Sequence, residues 1–174
     1  FVFLYCEDWD TPLRTSKHHF IERLAKEGHR VLYIEVPLNP ISVLFKPQTI
    51  FKETNINALK GLRVIKKNIW AIKTIVPFPF HPILGILTDN LFINYINQKF
   101  TSFILLKVFK ELKFNSPEAV IYYPMSVPIL KKLNFSKTYF HMVDEWQGLK
   151  GVPKTMKKLT LKLLSLADVT VVTS

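Results

Sequence analysis

The run His141-Met-Val-Asp144-Glu145-Trp146 sets an imidazole, two carboxylates and an indole side by side at the end of an apolar stretch. Carboxylates in such a place can accept hydrogen bonds from sugar hydroxyls or take a substrate proton, and an indole can stack on the apolar face of a sugar. If strand pleating persists, His141 and Val143 share one face while Met142 and Asp144 share the other. A catalytic pairing of His141 with Asp144 therefore needs the strand to end between them. The competing reading of His141 is a hydrogen-bonded structural histidine.

A second cluster lies near the start: Glu7, Asp8, Trp9 and Asp10, then Arg14, Ser16, His18 and His19. Arg14, Ser16 and His18 fall at a predicted helix N-terminus, where free amides and the positive end of the dipole favour phosphate or carboxylate. A capped helix with surface basic residues explains the same pattern. Neighbouring helical residues point about a quarter turn apart, so at most one of His18 and His19 faces a site. Tyr123 follows a third apolar run. Glu35 closes a fourth and, without a Gly-rich loop to go with it, reads as a solvated strand end.

The common templates are missing. No G-x-G-x-x-G, Walker A, G-x-S-x-G or H-E-x-x-H pattern occurs, so a dinucleotide cradle, a triphosphate cradle and the usual hydrolase and zinc sites are not expected. Cys6 is the single cysteine. It allows no internal disulfide and no Cys-based zinc site, and it fits a reducing cytoplasm.

The elements that must position these residues follow from periodicity. Phe1 to Tyr5 is a continuous apolar run of buried-strand type. Ser16 is placed to cap a helix running to about Glu27, with Phe20, Ile21, Leu24 and Ala25 on its apolar face and Gly28 as its stop. Val31 to Val36 completes a right-handed βαβ unit. Leu62 to Ile65 and Ile69 to Val76, joined by Lys66 to Asn68, read as a hairpin at a sheet edge. The Pro77 to Pro82 stretch reads as extended.

A long helix spans Thr88 to about Lys113, with Leu91, Tyr95, Phe103, Ile104, Leu106 and Phe109 as buried-face candidates. Glu118 to Tyr123 is a strand and Ser126 to Leu133 a short helix. Lys137 to Val143 is the next strand. A helix from Pro153 to about Leu166 buries Met156, Leu159, Leu163 and Leu166, and Val169 to Val172 is the last strand. This alternation predicts a doubly wound, mainly parallel Rossmann-like α/β sheet with helices on both faces and a hairpin or loop insertion around residues 40–85. In such a sheet ligands bind beyond the carboxyl ends of the strands, which gathers the clusters above at one place.

Length and composition agree. A chain of 174 residues with 48% hydrophobic and 21% charged residues forms one domain with a real core and excludes general disorder. The longest uncharged run, Lys73 to Asp89, is interrupted by three prolines and is too short to span a membrane. The apolar start without Met or basic leader, and the stop at Ser174 just behind a strand, read as an excerpt of a longer protein.

Formal charge is +11, concentrated in residues 36–143, where 14 basic residues face Glu53, Asp89, Glu111 and Glu118. Such a field attracts anionic surfaces, or simply keeps the protein in solution. With four Arg against 20 Lys, nucleic-acid reading is disfavoured and no nucleic-acid partner is expected.

Several of these residues form a pattern. Trp9, Arg14, Ser16 and His18 or His19, then Leu24-Ala25-x-x-Gly28-His29-x-Val31-Leu32-Tyr33-Ile34-Glu35, Tyr139-x-x-x-Val143-Asp144-Glu145-Trp146 and Ala167-Asp168 through Ser174 together resemble the N-terminal half of group 1 glycosyltransferases of the GT-B fold. The resemblance covers both ends and hardly touches residues 40–115. The first-strand turn Asp-Trp-Asp-Thr-Pro-Leu-Arg-Thr departs from the Gly-rich turn of many relatives, and His141 stands two residues further from Asp144 than in their His-Asp pair.

The resemblance implies that residues 1–174 are the acceptor-binding domain of a glycosyltransferase that moves a sugar from a nucleotide-sugar to a polysaccharide or glycolipid. His141 and Asp144 would be catalytic; Asp8, Trp9, Arg14, Ser16, His18, Tyr123, Glu145 and Trp146 would bind the acceptor. It implies no metal and no cofactor on this domain, with the nucleotide-sugar donor held by a C-terminal domain outside it, so that the isolated domain is inactive. Implied partners are a sugar or lipid-linked acceptor and that second domain, with the inner face of an anionic membrane as a further location. The alternative function is a non-catalytic module for an anionic membrane surface or a protein partner.

Overall fold

The computed structural model describes residues 1–39, 56, 58–78, 90–143 and 155–173. Seven strands form one sheet: β1 (Val2–Cys6), β2 (Val31–Leu38), β3 (Leu62–Lys66), β4 (Ile69–Ile75), β5 (Glu118–Ile121), β6 (Lys137–Met142) and β7 (Val169–Val172), in the spatial order β3-β4-β2-β1-β5-β6-β7. All neighbours are parallel except the β3/β4 pair, which is antiparallel. The hairpin is therefore at the edge, as its sequence predicts. Its second strand is more than decoration, since β4 pairs in parallel with β2 from Val31↔Ile69 to Leu38↔Ile75.

The described helices are α1 (Ser16–Lys26), α2 (Leu91–Glu111), α3 (Val127–Leu130) and α4 (Thr155–Leu166), with a 3₁₀ turn at Pro124–Ser126 ahead of α3. Strand residues alternate between two core clusters, as pleating requires. Val2, Leu4, Leu32, Ile34, Ala119, Ile121 and Phe140 pack with Leu105, Val108 and Phe109 of α2 and Met156, Leu159 and Leu163 of α4. Phe3, Val31, Tyr33, Val120 and Tyr122 pack with Ile21 and Leu24 of α1. Leu166, expected inside, is exposed at the end of α4.

Two local features of α1 follow from chemistry. Its cap is Thr15 rather than Ser16: the Thr15 backbone is extended, and its N–H donates to His18 Nδ1 at 3.1 Å, a reciprocal first-turn contact of the capping-box kind. Gly28 has φ +92, the left-handed conformation that ends a helix cheaply only at glycine.

Helix α2 departs most from expectation. Its Phe109 is buried, but Tyr95, Phe103 and Leu106 are exposed, and the core-facing side carries Asn94, Asn97, Gln98, Thr101 and Ser102. Hydrogen bonding explains the rotation. Asn94 Nδ2 donates to the Met125 carbonyl at 3.1 Å and Gln98 Nε2 to Asn94 Oδ1 at 3.0 Å. Asn97 accepts from the Phe78 N–H at 3.1 Å and donates to the Phe78 carbonyl at 2.9 Å. The Tyr5 hydroxyl donates to Gln98 Oε1 and lies 3.3 Å from Thr101 Oγ1.

Tyr5 reaches this network through a break in β1. Its φ is +59, and the β1/β2 register slips between Leu4 and Cys6. The extra residue puts Leu4 and Tyr5 in the same cluster and returns Cys6 to the other. A tyrosine in the left-handed region costs on the order of 1–3 kcal/mol, so the surrounding contacts must over-determine it. Tyr5→Phe keeps the ring and removes the hydroxyl that satisfies Gln98; urea denaturation is expected to show a loss of about 1–3 kcal/mol, and an unchanged midpoint would show that the network does not hold β1 to α2.

Candidate functional site

The carboxyl end of β1 is held by side chains of its own loop and of α1. Thr15 Oγ1 and Lys17 Nζ both donate to Glu7, the lysine at 2.6 Å, and His18 Nδ1 lies 3.8 Å from the same carboxylate. Burial opposes ionisation of Glu7, but the Lys17 and Thr15 hydrogen bonds outweigh it and hold the carboxyl below its ordinary range. The His18 imidazole is fully buried, with Trp9 and Tyr33 at ring distances of 5.0 and 5.9 Å. Burial first, and then the Arg14 charge, hold its pKa below the ordinary 6.5.

Trp9 is buried rather than presented to solvent, its ring 5.1 Å from Tyr33 and overlain by the Arg14 guanidinium at 4.9 Å. Arg14 is itself paired with Glu22 at 2.5 Å. His18, Trp9 and Arg14 thus come together, with their faces occupied by one another.

The neighbouring acidic residues are likewise engaged. Asp8 pairs with the buried Lys73 of β4. Arg63 of β3 donates to Asp10 at 2.7 Å and to Glu35 at 2.5 Å, and the Trp9 N–H reaches the same Glu35 oxygen at 2.9 Å. Glu35 is fully buried, which corrects the reading of it as a solvated strand end: the β3/β4 hairpin folds Arg63 over it. Burial raises the Glu35 pKa, against the opposing pull of the Trp9 amide and Arg63.

The open ground lies on the other side of β1. A pocket of about 450 Å³ is lined by Ser16, Lys17 and Phe20 of α1, Val120 and Tyr122 at β5, Tyr139 and His141 of β6, Val171 of β7 and Phe1. Its lining is mostly apolar, with few polar groups converging on it. Lys17 Nζ stands 4.7 Å from the Tyr122 ring centre, and the Tyr122 and His141 rings are 5.2 Å apart. His141 Nε2 is buried and has no hydrogen-bond partner among the described residues. Burial, then the Lys17 charge, keep His141 below its ordinary pKa and hence neutral near pH 7. A neutral imidazole beside an ammonium and a phenol can exchange hydrogen bonds with a hydroxylated ligand.

Of the residues singled out in sequence, Ser16 and His141 line this pocket together. Tyr123 packs against the opposite core cluster, because pleating sends it the other way from Tyr122. Asp144, Glu145 and Trp146 lie outside the described residues. Lys17 and Tyr122 carry no motif signal. The register Val120↔Tyr139 and Ile121↔Phe140, once known, points to Tyr122 as the neighbour of His141. Among the described residues no three His, Cys, Asp or Glu side chains are grouped to hold a metal ion, and no helix is long and apolar enough to cross a membrane. No protein-family model and no curated protein matches this chain.

Arg63→Ala leaves Glu35 buried without its cation and is expected to cost about 3–5 kcal/mol in chemical denaturation. Glu35→Gln in the same chain should recover much of that loss; a double variant no better than the single one would mean that Arg63 acts by packing alone. For His18 the depressed folded pKa means that its contribution to stability is complete above pH 6.5 and declines as pH falls towards the folded value. Protonation would put a proton on Nδ1, where the Thr15 N–H already donates. Imidazole resonances followed by NMR should show His18 titrating below 6.5; a midpoint above it would contradict the site as described.

Proposed function

We propose that this chain is the acceptor-binding part of a sugar-nucleotide-dependent glycosyltransferase, built on a doubly wound, Rossmann-like sheet. The observation that carries the reading is the convergence of Lys17, Tyr122 and His141 on one pocket, the His141 ring having a buried Nε2 with no hydrogen-bond partner among the described residues. The lining of that pocket runs along the sheet face from Phe1 to Tyr122, reaching the carboxyl end of β5 beside β1, and the connections after these two strands enter opposite core clusters. Ligands of open parallel sheets bind at such points. The alternation of core residues between two clusters, one fed by α1 and the other by α2 and α4, supports the doubly wound description.

In this reading an acceptor sugar lies against Phe20, Tyr122 and Tyr139, with a hydroxyl directed at the His141 imidazole. The neutral imidazole accepts that proton as the acceptor oxygen bonds to the anomeric carbon and the sugar–phosphate bond of the donor breaks, the nucleotide leaving with the electron pair. Burial, and then the positive charge of Lys17 anchored by Glu7, keep the imidazole unprotonated until the transfer. The resemblance assigns the nucleotide-sugar to a second domain outside these residues, and Asp144 to a role next to His141.

Titration of the chain with oligosaccharides and glycolipid headgroups, followed by NMR, should perturb Tyr122, Tyr139 and His141. His141→Ala and Lys17→Ala are each expected to weaken that binding by about tenfold, the cost of one lost polar contact. Perturbation confined to other surfaces, or binding unaltered by both substitutions, would overturn the assignment.

A further inference from the structure

The pocket beside α1 has two unlike ends. Strands β5 and β6 run in parallel with Val120 opposite Tyr139, while α1 starts after the carboxyl end of β1 and runs back towards the amino end of the sheet. Ser16, Lys17, Tyr122 and His141 therefore line the carboxyl end of the pocket. Phe1, Phe20, Val120 and Tyr139 line its amino end.

The carboxyl end can meet hydroxyls. Lys17 Nζ gives one hydrogen bond to Glu7 at 2.6 Å, and an ammonium has donors beyond that one. The amino end has no side-chain donor to give, because the Tyr139 hydroxyl already donates to Glu118 at 2.7 Å and its neighbours there are hydrocarbon. Phe20 is held in place, its ring edge-on to the buried Phe3 with centres 5.9 Å apart. A ligand hydroxyl pressed against this end gives up water and gains no donor, which lowers affinity about tenfold. A methyl group in the same place removes apolar surface from water instead.

We propose that the pocket selects a sugar bearing an exocyclic methyl group, a deoxy or N-acetylated sugar, with the methyl against Phe20 and Val120 and the reacting hydroxyl at the Lys17 and His141 end. The inference rests on the reading of this pocket as the acceptor site, and it narrows that reading from sugars at large to those with one apolar substituent. Phe20 sets the preference. It stands three residues after Lys17 on α1, so the two side chains share one face of the helix, and the same element carries both the polar and the apolar contact. A hydrocarbon wall gains from a methyl and rejects its hydroxylated counterpart, whereas a wall with polar groups would not tell them apart.

The test is NMR titration of the whole chain with D-fucose against D-galactose, which differ by a single exocyclic hydroxyl, and with N-acetyl-D-glucosamine against D-glucose. In one pair or both, the methyl-bearing sugar is expected to bind about tenfold tighter while perturbing Tyr122, Tyr139 and His141. The pair that shows the preference identifies the sugar type. Phe20 is exposed, so both of its variants should fold: Phe20→Leu keeps the preference, and Phe20→Asn, which supplies an amide to the hydroxyl, removes it. Equal affinities within both pairs at the same resonances, or an undiminished preference in Phe20→Asn, would overturn the inference and leave the acceptor reading in place. Absence of any perturbation of the pocket by these sugars would remove both.

Discussion

The hydrogen bonds between Tyr5 and the inner side of α2 constrain the rest of the molecule. Gln98 and Thr101 receive the Tyr5 hydroxyl, Asn94 reaches the Met125 carbonyl, and Asn97 grips the Phe78 backbone. One helix is thereby joined to the central strand, to the turn after β5 and to the segment after β4. A polar seam of this kind is directional where an apolar one is not, so it fixes rotation as well as position. The strained φ at Tyr5 is the local cost of reaching it.

A division of labour at the sheet's carboxyl end follows. On the β2/β4 side the acidic loop after β1 is neutralised by Lys73 and Arg63, and Glu35 is sealed beneath them. That arrangement braces the loop and leaves little for a ligand. On the β5/β6 side the chemistry is sparse but available: one ammonium held by Glu7, one phenol and one imidazole with a free nitrogen around an apolar hollow. Buried atoms without a partner among the described residues occur on both sides, His18 Nε2, Glu35 Oε2 and Arg63 Nε on the braced one and His141 Nε2 on the other, so what distinguishes the β5/β6 side is its open hollow.

Much of the frame was legible in the residues. The run Phe1 to Tyr5, the helix ending at Gly28, the Val31 strand and the Lys66 to Asn68 turn each carry local signals, and local signals survive folding. What escaped was decided by distant partners. The apolar periodicity of α2 points Tyr95, Phe103 and Leu106 inward, yet asparagine and glutamine side chains win the core because Tyr5, Phe78 and Met125 supply matching groups. Glu35 looked solvated because nothing nearby in sequence announces Arg63. Tyr122 and Tyr123 face opposite core clusters, and which of them neighbours His141 becomes visible only once the β5/β6 register is known. The shift of the α1 cap from Ser16 to Thr15 is smaller, a choice between adjacent hydroxyls settled by the reach of His18.

The placement of β1 also governs how this chain must come off the ribosome. One edge of β1 is satisfied early, by Leu32 opposite Val2, but the other waits for Ala119. At ordinary synthesis speeds of about 5–20 residues per second, that interval is on the order of ten seconds. Throughout it, the apolar central strand has an open edge able to pair with another nascent chain. Production of this fold is therefore exposed to mispairing during translation, and slow elongation or crowded polysomes would lengthen that exposure.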